Sequence, residues 1–214
     1  MTKPNVSWPR LNRDLVAILR GITTTDVESV VGALVEAGFE AIEIPLNSPA
    51  PFASIEKARR IAPANCMIGA GTVLTPEDVD RLYDCGGNLV VTPNTDPSVI
   101  TRAVSRDMVT MPGAFTATEA LAAIKAGAAA LKFFPANVLG PKGIGAIRAI
   151  LPPDIPLGAV GGVAEGDFAE YMRSGVRCFG LGSSLYKPGD KADVIKERAE
   201  RVVRAYDDAI AGKR

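Results

Sequence analysis

The chain contains no histidine. Histidine is the usual proton carrier near neutral pH and the commonest metal ligand, so its absence excludes Ser-His-Asp and Cys-His catalysis and argues against a transition-metal site. Proton transfer falls instead to a carboxylate, a lysine, a tyrosine, a phosphate or water. Cysteine is scarce: Cys66, Cys85 and Cys178 are odd in number, widely spaced and form no Cys-x-x-Cys pair. That argues against a disulfide framework or a zinc site and for buried, reduced thiols. Excess charge of either sign is missing too, with 24 Lys and Arg against 24 Asp and Glu. No global field draws nucleic acid or an anionic membrane surface, and any anionic ligand must be held by a local site. No apolar run spans a bilayer before meeting a charge or a proline, and Met1 to Arg10 lacks the apolar core of a secretory signal. The expectation is a soluble cytoplasmic protein with neither nucleic-acid nor membrane partners.

What is present is an alternation of short β-rich runs with helical periodicity. Strands are expected at Leu15 to Leu19, Ala41 to Leu46, Met67 to Val73, Asn88 to Pro93, Met108 to Gly113, Ala130 to Pro135, Pro156 to Gly162 and Cys178 to Gly182. Helices are expected near Thr24 to Ala37, Ala50 to Ile61, Pro76 to Asp84, Pro97 to Arg106, Ala117 to Ala126, Lys142 to Ile150, Glu165 to Arg173 and Asp193 to Ala211. Thr75-Pro76 and Asp96-Pro97 place a capping side chain before a proline at the first helical position, and Gly38 and Gly127 follow apolar helical runs as C-caps. The 214 residues suit one domain. Repeated βα units with strands too apolar to face water on one side make the fold class α/β, a single (β/α)8 TIM barrel over residues 1–214. Residues 1–10 are expected to be a loosely held arm. No Gly-x-Gly-x-x-Gly turn opens the first helix, which weakens a dinucleotide-binding alternative.

Within this pattern Ala130-Leu131-Lys132-Phe133-Phe134-Pro135 stands out, an apolar strand with one lysine in its middle. Alternation puts Lys132 and Phe134 on one face, Leu131 and Phe133 on the other. An ordinary lysine is a free amine in fewer than about one molecule in a thousand at neutral pH, whereas burial lowers its pKa and makes it a nucleophile towards carbonyls. The stretch alone fits two readings: a Schiff-base lysine, or a lysine snorkelling from a strand end to solvent.

The ends of barrel strands carry the chemistry of such folds. The first ends at Arg20, a fixed cation for a carboxylate. The second carries Glu43 on the face opposite Ile42 and Ile44, hence inward. The third gives Gly69-Ala70-Gly71-Thr72, whose glycines let a ligand approach the backbone. The fourth ends Thr92-Pro93-Asn94. Glycine-rich exits at Val160-Gly161-Gly162 and Gly180-Leu181-Gly182-Ser183-Ser184 leave N–H groups for a phosphate. Each has a plainer account: Glu43 and Arg20 as a structural ion pair, Arg20 as a cap on the barrel rim, the glycines as tight turns, Thr72 as an ordinary strand residue.

Glu43-Ile44-Pro45-Leu46-Asn47, Gly69-Ala70-Gly71-Thr72-Val73-Leu74, Val91-Thr92-Pro93, Lys132-Phe133-Phe134-Pro135 and Gly161-Gly162 together resemble the motifs of the class I 2-keto-3-deoxy-6-phosphogluconate and -phosphogalactonate aldolases. The resemblance runs from about Leu15 to Tyr186. It points to the 6-phosphogalactonate branch, because the gluconate enzymes typically carry Glu-x-Thr-x-Arg on strand two and Pro-Thr-Gly-Gly on strand seven. Asn47 stands where that branch has arginine, so the arginine's role does not carry over, and Arg20 is the remaining candidate for the substrate carboxylate.

The resemblance implies a retro-aldol reaction. Lys132 would form the imine with the C2 ketone and Glu43 would shuttle protons. Arg20, Gly71 and Thr72 would hold the pyruvyl carboxylate, with Pro93 and Phe134 as further substrate contacts. Gly161, Gly162, Gly182 and Ser183 would hold the phosphate, and Val160, unable to hydrogen-bond near C4, would relax or invert the preference between C4 epimers. The implied partners are a phosphorylated 2-keto-3-deoxy sugar acid, pyruvate and glyceraldehyde 3-phosphate, in a homotrimer with no cofactor and no metal. Cleavage of the gluconate epimer or of 4-hydroxy-2-oxoglutarate, a barrel isomerase or epimerase, and a non-catalytic metabolite-binding barrel are the alternatives.

Overall fold

Leu15-Val16-Ala17-Ile18 and Leu157-Gly158-Ala159-Val160 contain no polar side chain, and all eight residues are buried. Strands covered on both faces must lie between two apolar layers, which is the condition of a parallel sheet wrapped by helices. A computed structural model describes residues 6–212 and shows that arrangement. The strands are β1 (Leu15–Ile18), β2 (Ala41–Pro45), β3 (Met67–Gly71), β4 (Leu89–Val91), β5 (Val109–Met111), β6 (Gly113–Ala114), β7 (Leu131–Phe133), β8 (Leu157–Val160) and β9 (Cys178–Leu181). They form one parallel sheet in the order β5-β4-β3-β2-β1-β9-β8-β7-β6.

The two ends of that order, β5 and β6, are the halves of the fifth expected strand, divided at Pro112, which has no N–H to give to a ladder. One half pairs with β4 and the other with β7. Lys132 N–H donates to the Pro112 carbonyl at 2.9 Å, and Ala130 N–H to that of Thr110 at 3.1 Å, so the sheet curls into a nearly closed barrel.

Among the described residues eight α-helices alternate with the strands: α1 (Val27–Glu36), α2 (Pro51–Ile61), α3 (Pro76–Asp84), α4 (Pro97–Val104), α5 (Ala117–Ala126), α6 (Ala136–Arg148), α7 (Phe168–Arg173) and α8 (Ala192–Ala211). The Thr75 and Asp96 side chains accept from the N–H groups of Asp78 and Ser98, and Gly127 ends α5 at φ 103°. Helix α6 starts six residues before the expected Lys142, because Ala136 to Leu139 already turn helically and the chain kinks at Gly140-Pro141. No described helix is long and apolar enough to cross a membrane.

Two apolar cores result. The larger lies between strands and helices and takes Leu131 and Phe133. The smaller fills the barrel with Val16, Ala41, Met67, Leu89, Val91, Met111, Ala130 and Cys178, and Trp8 and Leu11 pack beneath it. Trp8 Nε1–H donates to Asp14 at 2.9 Å, so the loosely held arm expected over residues 1–10 does not extend to Trp8; residues 1–5 of it lie outside the described residues. The three thiols are free, with Cys66 and Cys178 buried.

Glycines give the barrel interior its room. A Cβ at Gly69 would stand 1.9 Å from the backbone oxygen of Leu89, and one at Gly158 would stand 2.1 Å from Met111 Cε. Backbone cannot yield where a thioether end can. Gly69→Ala is therefore expected to lower stability by about 3 kcal/mol and Gly158→Ala by about 1 kcal/mol, read from urea unfolding midpoints; equal losses would contradict this reading of the interior.

Candidate active site

Lys132 and Glu43 are the only charged side chains in the buried class among the described residues, with relative exposures of 6% and 1%. Strand register explains how the interior admits them. Lys132 is flanked by Gly113 on β6 and Gly158 on β8, so neither neighbour puts a side chain beside the ammonium stem. Glu43 is flanked by Ile18 on β1 and Gly69 on β3. Below it, a Cβ at Gly71 would fall 1.9 Å from Glu43 Oε2: the missing methyl is the space the carboxylate occupies.

Both groups look into one cavity of about 550 Å³ at the C-terminal ends of the strands. Lys132 Nζ lies over the Phe134 ring, 4.9 Å from its centre. Burial holds the Lys132 ammonium below the usual lysine range; the Glu43 charge opposes this and the Arg20 charge adds to it. Burial likewise pushes the Glu43 carboxyl up to about 7, against the pull of Lys132, Arg20 and the backbone at Gly71. Glu43 Oε2 has no hydrogen-bond partner among the described residues. An orphaned buried acceptor costs about 1–3 kcal/mol, more when charged, and so signals a group kept for something the folded chain alone does not supply. The pair thus offers an amine with a raised neutral fraction beside a carboxyl that both holds and releases a proton near pH 7.

The rim carries Arg20, Thr72 and Pro93, beyond the ends of β1, β3 and β4. Thr72 has φ 57°, the left-handed region that a β-branched residue enters only under constraint, at a cost of roughly 1–3 kcal/mol. The rim also carries Val160 to Ala164 at the end of β8 and Gly180 with Gly182 to Ser184 at the end of β9, the strand that pairs with β1. Gly161 and Gly162 have φ 92° and 68°, turning the exit of β8 back on itself. The N–H groups of Gly162, Val163, Ser183 and Ser184 donate to no backbone carbonyl among the described residues. Four free donors at adjacent strand exits make an anion cradle. Lys187, which makes no ion pair among the described residues, lines the same cavity.

The family model described as "Aldolase: KDPG and KHG aldolase" matches residues 10–203. The chain belongs to that aldolase family. It is 60% identical over 208 residues to a protein of Rhizobium meliloti (strain 1021) named probable 2-dehydro-3-deoxy-6-phosphogalactonate aldolase, with 97% of this chain and 98% of the relative covered. It is 47% identical over 196 residues to the 2-dehydro-3-deoxy-6-phosphogalactonate aldolase of Escherichia coli (strain K12), with 92% and 96% covered. A solved structure described as "Native KDPGal structure" superposes with a TM-score of 0.93 at 45% identity, over 96% of this chain and all of that one.

In this aldolase, of the residues singled out from the sequence, Lys132, Glu43, Arg20, Thr72, Pro93, Phe134, Val160, Gly161, Gly162, Gly182 and Ser183 line the one cavity. Gly71 is absent from that lining, and its missing Cβ leaves room for the Glu43 carboxylate. Arg20 and Glu43 form no ion pair; the guanidinium donates instead to Asn47. Sequence reasoning passed over Lys187. The Tyr186-Lys187-Pro188 run beyond a glycine-rich exit was the available signal for a cation near a phosphate.

The raised Glu43 pKa has a sign that stability can read. Between about pH 4.5 and about 7 the folded state holds a proton that the unfolded chain releases, so stability falls as pH rises through that window. Glu43→Gln removes this burden. Its stability relative to the parent should rise between pH 5 and pH 8 by about 2–3 kcal/mol in urea unfolding, the order set by ~1.4 kcal/mol per pKa unit; a difference independent of pH would contradict the assignment.

Proposed function

We propose that the cavity cleaves 2-dehydro-3-deoxy-6-phosphogalactonate to pyruvate and D-glyceraldehyde 3-phosphate through an imine on Lys132. The observation that carries the proposal is a buried amine and a buried acid converging on one cavity that also holds a cradle of free backbone donors.

The Lys132 amine attacks the C2 carbonyl carbon, and loss of water from the carbinolamine gives a protonated imine. Glu43, as carboxylate, takes the C4 hydroxyl proton. The C3–C4 bond then breaks, its electrons moving into the iminium to give the enamine of pyruvate, and the aldehyde leaves. Glu43, now protonated, returns the proton to C3. Water adds to the imine carbon and expels the amine, releasing pyruvate. One carboxyl near pH 7 serves every proton transfer, which suits a chain without histidine.

Arg20 and Thr72 hold the pyruvyl carboxylate. The N–H groups at Gly162 and Ser183 and the Ser183 hydroxyl hold the phosphate, joined by Ser184 and the Lys187 charge. Phe134 covers the Lys132 ammonium and Pro93 shapes the pocket wall. Val160 offers C4 an apolar wall with no donor or acceptor, which fits the galactonate epimer as the preferred substrate. A homotrimer and a cytoplasmic location complete the proposal, as inferred from the family resemblance.

Borohydride reduction in the presence of pyruvate, followed by intact mass, tests it. One pyruvate-derived adduct on Lys132 is expected, lost in Lys132→Met and kept in Glu43→Gln. A coupled pyruvate-release assay should show faster turnover of the galactonate epimer than of the gluconate epimer. No adduct on the parent chain would favour a barrel isomerase or a non-catalytic barrel.

A further inference from the structure

Arg20 is an exposed side chain at the exit of β1, joined to no carboxylate by an ion pair among the described residues. A free arginine there keeps its full rotamer freedom and spends little time in any one pose. Here it is held. Arg20 Nη1–H donates to Asn47 Oδ1 at 2.5 Å, from the loop after β2. The next residue of that loop ties the next residue of the first: Gly21 N–H donates to Ser48 Oγ at 2.9 Å, and Ser48 is buried. Two consecutive bonds thus clamp the Arg20-Gly21 exit to the Asn47-Ser48 exit, one on backbone and one on the guanidinium.

Resting on the proposed imine chemistry, we infer that Asn47 is a positioning residue: it aims Arg20 at the carboxylate of the pyruvyl moiety without neutralising it. The amide suits this task. Arginine has five N–H donors, and one neutral acceptor occupies one of them, leaving four and the whole positive charge. An aspartate would take two donors in a bidentate pair and cancel the charge. An arginine at 47 would repel Arg20. Asn47 also lines a neighbouring groove that shares Thr72 with the main cavity, so the clamp reaches the part of the rim that carries Thr72.

The test is aldol synthesis from pyruvate and glyceraldehyde 3-phosphate, in which the two KM values report the two ends of the site separately. Asn47→Ala should raise KM for pyruvate about 10-fold, leave KM for glyceraldehyde 3-phosphate within twofold, and leave kcat within about threefold. Asn47→Asp should raise KM for pyruvate further, and Asn47→Gln should restore part of the loss. Asn47 is exposed, and thermal melts show whether each variant is folded. An unchanged KM for pyruvate, or equal rises in both KM values, in a folded Asn47→Ala variant would overturn the inference. Borohydride trapping at saturating pyruvate separates this from the chemistry itself: failure of the parent chain to trap sinks the imine reading, whereas normal trapping with unaltered KM values sinks only the role of Asn47.

Discussion

An ammonium taken out of water is the constraint on which the rest of this structure depends. The hydration a lysine loses on burial is large, and the folded chain compensates by lowering the charge, by placing one acid near it and by facing both towards a cavity rather than sealing them in the core. The acid suffers the same penalty in the opposite sense, and its carboxyl rises to about 7. Each charge supports the other, yet the two form no direct ion pair, so the amine is not permanently tied up as a salt and the carboxyl keeps an open oxygen. A tighter pair would be more stable and chemically inert.

Much of the surrounding sequence follows from holding two long polar side chains inside a barrel that is otherwise apolar. Gly113 and Gly158 stand beside Lys132, Gly69 stands beside Glu43, and Gly71 lies under its carboxylate. At the same end Thr72, constrained into the left-handed region, and the Gly161-Gly162 turn, which enters it freely, line the cavity. The opposite end of the barrel is plainly packed with Val16, Ala41, Met67, Leu89 and Cys178 and supplies the rigidity that the upper end lacks. Stability and chemistry are separated along the barrel axis.

The βα alternation was legible because period-2 and period-3.6 patterns survive in single sequences, and the inward aim of Lys132 and Glu43 followed from the same alternation. The break of the fifth strand at Pro112 was written in the sequence but not its result, since pairing of the two halves with different neighbours depends on closure of the whole sheet. The first turn of α6 was hidden by Gly140-Pro141, which read locally as a loop. That the missing Cβ of Gly71 is also space for Glu43 depends on the pairing of β2 with β3, which no local pattern records. The Arg20–Asn47 bond joins loops 27 residues apart, a distance at which no spacing rule applies.

The central claim concerns one nitrogen, and the most direct measurement is the titration of Lys132 Nζ by 15N NMR, assigned with Lys132→Met. The account predicts a midpoint clearly below those of the other lysines, because burial and the Arg20 charge outweigh the attraction of Glu43. A Lys132 signal that titrates with the exposed lysines, near the ordinary value of about 10.4, would contradict it.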